Sequence, residues 1–269
     1  MISKESFSPE RIAGFRKNPD LNKSDPAIIE KMVRALSLLE QLAANGLEFV
    51  FKGGTSLILL LDRPNRFSID IDITTSESRE NLESALNRVI ENSEFAYYKL
   101  DEKRSYKENF PKAHYKFYWS EKDNYYILLD IQFGKHCYPE LLLKTIKSDL
   151  LITEEPYISI NLPTKESILG DKLTAFAPNT TGVLYGKNKE TEIIKQLFDI
   201  SLLIDEVSDI GKVYQAFVNT VTNEVQYRNS EITHVKVLND IFNTALLLSR
   251  RDKNIMNRIS QTLKSFLQD

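Results

Sequence analysis

The sequence has few of the residues that cross-link small secreted domains or bind zinc. A single cysteine, Cys137, cannot form an internal disulfide, and the three histidines, His114, His136 and His234, lack the spacing of zinc ligands. The amino terminus has no apolar signal-peptide core, and no hydrophobic run reaches the length of a membrane-spanning helix. The formal net charge of -3 excludes a protein that coats nucleic acid through bulk electrostatics. These absences predict a soluble protein of the reducing cytoplasm with no membrane partner.

Two short motifs carry the strongest chemical signal. A glycine pair, Gly53 and Gly54, precedes a predicted short helix, and two acids, Asp70 and Asp72, alternate with isoleucines in a strand predicted over 67–73. Since alternate strand residues share a face, both carboxylates should project together. Paired carboxylates suit Mg²⁺, and glycines at a turn let phosphate oxygens approach backbone N–H groups. The motifs predict a site for a metal-bound nucleoside triphosphate, although the acid pair alone could also be the solvated face of an edge strand.

A third acid, Asp130, interrupts an apolar strand predicted over 125–133. Ionisation there without a partner would be costly, so a metal or a cation should lie nearby. If Asp130 joins Asp70 and Asp72 across neighbouring strands, three carboxylates could hold two metal ions, and Asp130 would be the candidate base for an attacking hydroxyl. The alternative is a residue on the exposed face of a half-buried strand.

The hydrophobic pattern predicts two parts in this chain of 269 residues. Residues 1–163 should form an α/β domain whose predicted helices and strands cover 26–45, 48–51, 55–61, 67–73, 78–92 and three runs between 95 and 133. Residues 164–269 should form a helical domain with helices over 165–177, 189–206, 210–226, 231–249 and 253–267. The predicted fold class is therefore α+β, with a mixed sheet and flanking helices followed by a helical carboxy-terminal domain.

Two charged residues interrupt apolar faces of the predicted carboxy-terminal helices. Lys172 repeats with Ile168 and Phe176 at every fourth position, so its side chain points inward. Its ammonium then either extends to water or reaches a triphosphate. Asp199 lies one turn after Lys195, and this spacing alone favours a weak local ion pair between them.

The segment 97–126 interleaves lysines and an arginine with tyrosines, phenylalanines and a tryptophan. Such a mixture can bind phosphates and stack on unpaired RNA bases. Five acids lie among these residues, and ordinary antiparallel strands often have the same composition. Both interpretations stay open from the sequence.

The motifs have a recognisable counterpart. The stretches Lys52-Gly53-Gly54-Thr55-Ser56-Leu57 and Arg66-Phe67-Ser68-Ile69-Asp70-Ile71-Asp72 resemble the signature of the AbiEii/AbiGii-type nucleotidyltransferase toxins, within the DNA polymerase β-like nucleotidyltransferase superfamily. The segments 170–175 and 195–200 resemble the two downstream motifs of that family. The likeness therefore spans roughly residues 46 to 206.

The resemblance implies roles for individual residues. It implies a nucleotidyltransferase-type sheet, with the helical domain contributing to the active-site cleft. The nucleotide-binding residues would be Gly53, Gly54, Thr55, Arg66, Ser68 and Lys172. The Mg²⁺ ligands would be Asp70 and Asp72, with Lys172 and Asp199 completing the site. With Asp130 added from the strand argument above as a third metal ligand, the predicted catalytic set comprises Asp70, Asp72, Asp130, Lys172 and Asp199. Gln196 stands where the family commonly has an acid, which leaves the choice of nucleotide open.

The predicted function is Mg²⁺-dependent transfer of a nucleoside monophosphate from an NTP to an acceptor hydroxyl, on RNA or tRNA. The resemblance implies the toxin of a bacterial toxin–antitoxin or abortive-infection system, with a cognate antitoxin as partner. Two alternatives remain. The same site could modify a protein by nucleotidyl or phosphoryl transfer, or the fold could serve as a non-catalytic binding module.

Overall fold

A seven-stranded mixed sheet forms the centre of the amino-terminal part of the chain. The computed structural model describes residues 1–17, 25–61, 68–105, 111–122, 124–184, 189–228 and 231–250. The strands are β1 (Val50–Lys52), β2 (Ile71–Thr75), β3 (Tyr97–Leu100), β4 (Lys112–Tyr118), β5 (Tyr126–Phe133), β6 (Leu141–Thr145) and β7 (Ser159–Pro163). They lie in the order β3-β4-β5-β2-β1-β7-β6. β2 pairs in parallel with β5 and antiparallel with β1, so it lies at the centre of the sheet.

Helices flank this sheet and fill the carboxy-terminal part. The α-helices are α1 (Pro9–Gly14), α2 (Pro26–Ala44), α3 (Leu57–Leu60), α4 (Arg79–Asn92), α5 (Glu102–Ser105), α6 (Lys165–Ala175), α7 (Glu190–Ile204), α8 (Ile210–Arg228) and α9 (His234–Ser249), and 3-10 helices cover Lys4–Phe7 and Phe15–Lys17. The sequence starts α2 with a favourable cap, because the Ala27 N–H donates to Asp25 Oδ1 at 2.9 Å and Pro26 occupies the first turn.

The two faces of the sheet differ in polarity because strand side chains alternate. On one face, Phe117, Leu129 and Ile131 are almost fully buried, and helices α2 and α4 pack against this part of the sheet. On the other face, side chains such as His114 and Asp130 are only partly buried. The second face is therefore the one that can present polar groups to a substrate.

The chain divides into two compact units. The first comprises Met1–His136 and Leu142–Leu162, and the second comprises Cys137–Leu141 and Pro163–Asp269. The predicted boundary between residues 163 and 164 lies one residue beyond the last of these divisions. Within the second unit, the short segment Cys137–Leu141 bonds to helices: Tyr138 Oη donates to Asp171 Oδ2 at 2.8 Å and Glu140 pairs with Lys212 at 2.7 Å.

The helices of the second unit pack closely. In α6, a Cβ at Gly170 would lie 2.6 Å from the Phe217 backbone nitrogen in α8, so only glycine permits this approach. The hydrophobic core beside it contains Ala177, Phe217, Val221 and Val237.

Most of the predicted elements are confirmed. The helices predicted over 26–45 and 78–92 are α2 and α4, the three runs between 95 and 133 are β3, β4 and β5, and four predicted carboxy-terminal helices are α6 to α9. The helix predicted over 253–267 lies outside the described residues. The strand predicted over 67–73 is shifted, because β2 begins at Ile71, and β6 and β7 were not predicted. In the parts that the structure describes, no helix is long and apolar enough to cross a membrane.

Candidate active site

A row of four polar residues crosses the polar face of the sheet. Lys52 in β1 lies opposite Asp72 in β2, Asp72 lies opposite Asp130 in β5, and Asp130 lies opposite His114 in β4. Directly opposite residues on neighbouring strands point to the same face and have close Cβ atoms. Asp72 and Asp130, predicted to act together, are therefore neighbours in space.

The glycine turn contacts Asp72, the second residue of this row. Gly53 has a φ angle of +79°, a conformation that residues with a side chain rarely adopt. A Cβ at this position would lie 2.2 Å from Asp72 Oδ2, so the carboxylate occupies the space that a side chain would need. Gly54, next in the same turn, is partly exposed. The two motifs identified in the sequence therefore meet in the fold.

Two hydroxyl groups fix the turn. Ser56 Oγ donates to the Gly53 carbonyl at 2.7 Å, and Thr55 Oγ1 donates to the Asp70 carbonyl at 2.6 Å, with both side chains fully buried. Asp70 is exposed and is the last residue before β2, and Ser68 lies two residues earlier. The turn thereby holds the backbone that leads into β2, while nucleotide binding by Thr55 and Ser68 stays a prediction.

Asp130 has two nitrogen partners. His114 Nδ1 donates to Asp130 Oδ1 at 2.6 Å, and Arg104 Nη2 donates to Asp130 Oδ2 at 3.0 Å. The Ser105 hydroxyl also accepts the His114 backbone N–H at 3.0 Å, which ties α5 to β4. The predicted cation beside Asp130 is confirmed as Arg104. The sequence did not indicate these two partners, because His114 reaches the acid through pairing of β4 with β5 and Arg104 reaches it from helix α5 beside β4.

Lys52 is a second residue that the sequence analysis left without a role. Its Nζ donates to Gln132 Oε1 at 2.8 Å, and Gln132 lies two positions after Asp130 on β5. The ammonium therefore lies along the polar face beside the acids. Its position directly before the glycine pair is the sequence signal that could have identified it.

The residues present fit a hard cation in part. Asp70 and Asp72 offer carboxylate oxygens, which Mg²⁺ prefers, and the absence of a side chain at Gly53 gives the Asp72 carboxylate its place beside the turn. Among the described residues, however, no group of three or more His, Cys, Asp or Glu side chains is arranged to hold a metal. The predicted three-carboxylate set is not assembled here, because the Asp130 oxygens are bonded to Arg104 and His114.

In the second unit, Lys172 of α6 and Asp199 of α7 form a buried ion pair. Lys172 Nζ lies 2.8 Å from Asp199 Oδ2, and the side chains are only 8% and 1% exposed. The local pair between Lys195 and Asp199 favoured by spacing is wrong, since Lys195 Nζ bonds to Glu192 Oε1 at 3.0 Å. Lys172 likewise does not extend to water.

One predicted nucleotide-binding residue, Arg66, lies outside the described residues. Of the rest, the first unit brings Gly53, Gly54, Thr55, Asp70 and Asp72 to one turn and the start of one strand, with Asp130 on the neighbouring strand. The second unit joins Lys172 to Asp199.

Comparisons with known proteins find a matching family model and similar folds. The family model described as nucleotidyl transferase AbiEii toxin, type IV toxin–antitoxin system, matches residues 37–269. The structure is similar to the nucleotidyltransferase toxin MenT4 of Mycobacterium tuberculosis, with a TM-score of 0.51, 13% identity, and coverage of 93% of this chain and 98% of that one. It is also similar to an antigenic nucleotidyltransferase-like protein of Paracoccidioides brasiliensis, with a TM-score of 0.44, 14% identity, and coverage of 74% and 89%. A comparison with curated protein sequences gives no match.

Proposed function

Because the chain belongs to the AbiEii family of nucleotidyltransferase toxins of type IV toxin–antitoxin systems, we propose that it transfers a nucleoside monophosphate from an NTP to a hydroxyl of RNA, with tRNA as the favoured acceptor. The protein is a nucleotidyltransferase by family, and the same membership implies an NTP substrate and a cognate antitoxin. The acceptor and the metal are the proposed parts.

The contact between Gly53 and Asp72 is the observation that carries the proposal. A positive-φ glycine pressed against a carboxylate on a central strand brings backbone N–H groups and an acidic ligand to one place. Backbone N–H groups suit phosphate oxygens, and the carboxylate suits the cation that accompanies a triphosphate.

Asp70 and Asp72 would hold Mg²⁺. When bound, the ion supplies neutralisation of negative charge on the triphosphate. Lys52 contributes a second positive charge on the same face, and its bond to Gln132 keeps the ammonium in place. A fixed ammonium of this kind stabilises charge that develops on a leaving phosphate.

In the proposed reaction, an acceptor hydroxyl oxygen attacks the α-phosphorus of the NTP. The new bond joins that oxygen to the α-phosphorus, the bond to the oxygen bridging the α- and β-phosphates breaks, and pyrophosphate leaves. Asp130 accepts the hydroxyl proton, since each carboxylate oxygen keeps a lone pair beyond its bond to His114 or Arg104. These two partners hold the carboxylate in position.

Lys172 and Asp199 keep the roles that the family resemblance predicts. A buried carboxylate 2.8 Å from the ammonium restricts the lysine to one orientation. A lysine fixed in this way needs no reorganisation when it meets a phosphate.

Purified protein incubated with Mg²⁺, NTPs labelled at the α- or γ-phosphate, and either total RNA or total protein tests the proposal. Label from the α-position should enter RNA, and Asp72→Asn should lower the rate by about 100-fold or more. Glu91→Gln, at an exposed acid of α4, is the matched control and should retain the wild-type rate. Transfer of γ-label, or label entering protein alone, would reject RNA nucleotidyl transfer.

Activity in cells gives a second test of the acceptor. Inducible expression of the wild-type chain in bacteria, followed by sequencing of tRNA 3′ ends, should reveal added nucleotides that are absent after expression of Asp72→Asn. Growth arrest without altered RNA ends would argue for another acceptor.

A further inference from the structure

A cluster of lysines and tyrosines lies on the same sheet face as the acid row. The register pairs Tyr97 with Tyr118 and Tyr118 with Tyr126, and it pairs Lys99 with Lys116. We call these five residues, together with Lys31 of α2, the lysine–tyrosine cluster. Alternation separates the cluster from Tyr98, Tyr115 and Phe117, which intervene on the same strands and belong to the other face.

The tyrosine rings of the cluster form a continuous aromatic strip. Tyr97 and Tyr118 are stacked, with ring centroids 4.6 Å apart and planes 16° apart, and the Tyr126 centroid lies 5.5 Å from that of Tyr118. The outer rings, Tyr97 and Tyr126, are partly exposed, whereas Tyr118 is buried between them. Exposed aromatic faces on a sheet are surfaces on which unpaired bases stack.

The lysines of the cluster lie over these rings. Lys99 Nζ lies 5.2 Å from the Tyr97 centroid and 5.6 Å from the Tyr118 centroid, while Lys116 and Lys31 lie 5.0 Å and 5.5 Å from the Tyr126 centroid. A cation held by a ring keeps its full positive charge, unlike one neutralised by a carboxylate.

Among the described residues, ion pairing neutralises little of this charge. Lys116 Nζ is 3.6 Å from Asp101 Oδ2, a long ion pair, and in the described part of the chain Lys99 is exposed and has no carboxylate partner. The cluster therefore presents positive charge next to aromatic surface, which is the pairing that binds a nucleic-acid backbone and its bases.

The position of the cluster relates it to the chemistry. Lys116 is two residues from His114 on β4, and Leu128, opposite Lys116, is two residues from Asp130 on β5. Two residues along a strand span about 7 Å, so Lys99 and Lys116 are about 7 Å and the tyrosines about 14 Å from the acid row. A single-stranded RNA that crosses the cluster would therefore bring its end to the acid row.

We propose that the lysine–tyrosine cluster binds single-stranded RNA at the acceptor end, with lysines on phosphates and the partly exposed rings of Tyr97 and Tyr126 against bases. The proposal rests on the function proposed above and adds the surface that selects RNA. The three ammonium groups match the charge of a phosphodiester backbone, and the partly exposed rings of Tyr97 and Tyr126 match unpaired bases.

Fluorescence anisotropy of the full chain with a labelled single-stranded oligonucleotide of RNA, at several salt concentrations, tests the surface without requiring catalysis. The double variant Lys99→Ala/Lys116→Ala should weaken binding about 10-fold or more. It should also reduce the slope of log affinity against log salt by about 1.4, because each phosphate contact on a single strand contributes about 0.7.

A matched control exists elsewhere in the first unit. Lys147 is exposed, and its Nζ lies 3.6 Å from the Tyr157 ring centroid, so Lys147→Ala removes another lysine over a tyrosine. This variant should bind RNA as the wild type does. Equal losses in both variants, or no loss in the double variant, would overturn the assignment of the surface.

Steady-state labelling separates the two proposals. If both hold, the double variant raises the KM for RNA while the KM for NTP and kcat stay within about twofold of wild type. RNA labelling with an unchanged KM for RNA overturns the cluster alone. A wild-type chain that labels protein and binds no RNA overturns the cluster together with the RNA acceptor.

Discussion

The carboxylate of Asp72 fills the space where a side chain at Gly53 would lie. An ideal Cβ there comes within 2.2 Å of Oδ2 and 2.8 Å of Cγ. Either the turn or the acid must move if the glycine is replaced, and both belong to the proposed nucleotide site.

Gly53→Ala should therefore lower the rate of nucleotide transfer by about 10-fold or more. The positive φ angle should also cost about 1–3 kcal/mol of unfolding free energy. Initial rates with labelled NTP, together with denaturant unfolding, measure both effects.

Gly46→Ala is the control for backbone strain. Gly46 has a φ angle of +84°, but among the described residues no atom lies within 4 Å of the position that its Cβ would take. Both variants should lose stability through the positive φ angle, Gly53→Ala more so because of its contact with Asp72, and only Gly53→Ala should lose activity. Equal activity in both variants would show that nucleotide transfer does not depend on the contact between Gly53 and Asp72.

Replacing only one partner of the buried pair of Lys172 and Asp199 should strongly destabilise the fold. Lys172→Met removes the ammonium that lies 2.8 Å from a carboxylate only 1% exposed, which should lower the unfolding free energy by about 3–5 kcal/mol. The double variant Lys172→Met/Asp199→Leu removes both charges and should recover much of that loss. It should still lack nucleotide transfer.

An exposed pair in the same unit provides the comparison. Lys165 and Glu206 are 2.6 Å apart but 31% and 49% exposed, so Lys165→Ala should cost no more than about 1 kcal/mol. Full activity in a stable double variant would show that Lys172 and Asp199 serve the fold alone.

Asp130→Asn should reduce the transfer rate by about 100-fold or more, because the amide cannot accept the hydroxyl proton. The KM for NTP should change little. Glu94→Gln is the control, since Glu94 is a partly exposed acid paired with Arg34 at 2.8 Å, and it should keep the wild-type rate. A loss below tenfold for Asp130→Asn would restrict Asp130 to holding Arg104 and His114.

Glu40 predicts a pH dependence of stability. Burial raises the pKa of the Glu40 carboxyl, an effect that the hydrogen bond from the Ile2 N–H partly opposes. With a folded pKa above the unfolded one, the unfolded chain releases this proton first as pH rises. Stability is therefore lost between pH 4.5 and the raised pKa, by about 1.4 kcal/mol for each unit of difference.

Glu40→Gln should abolish that loss. Unfolding free energies measured from pH 4 to 7 should show the variant gaining on the wild type as pH rises. Glu91→Gln, at an exposed acid, should follow the wild-type curve. A constant difference between Glu40→Gln and wild type across this range would refute the raised pKa.

Local patterns were sufficient to predict elements and motif residues. Helix α2 follows from its apolar spacing, and the glycine pair and the alternation of Asp70 and Asp72 with isoleucines are each short motifs. Both signals are contained within a few turns or one strand, so no knowledge of strand order is needed.

Side-chain partners that depend on the order of the strands could not be predicted from the sequence. The pairing of His114 with Asp130 requires β4 beside β5, and the bond from Lys52 to Gln132 spans three strands. The spacing in α7 predicted Lys195 as the partner of Asp199. In the fold, Asp199 instead pairs with Lys172, because two buried charges need each other more than a buried acid needs a lysine at the surface. Strand β6 was missed because its run of leucines does not alternate with polar residues.

Residues Cys137–Leu141 belong to the second unit although the chain on both sides of them belongs to the first, and this limits how the protein can be divided into fragments. A fragment that starts at Pro163 would lack Tyr138, which bonds to Asp171, and Glu140, which pairs with Lys212. A fragment that stops at Leu162 would carry those five residues without their helices. No single cut yields two complete halves, so complementation by separately expressed pieces should fail unless this loop is grafted onto the helical piece.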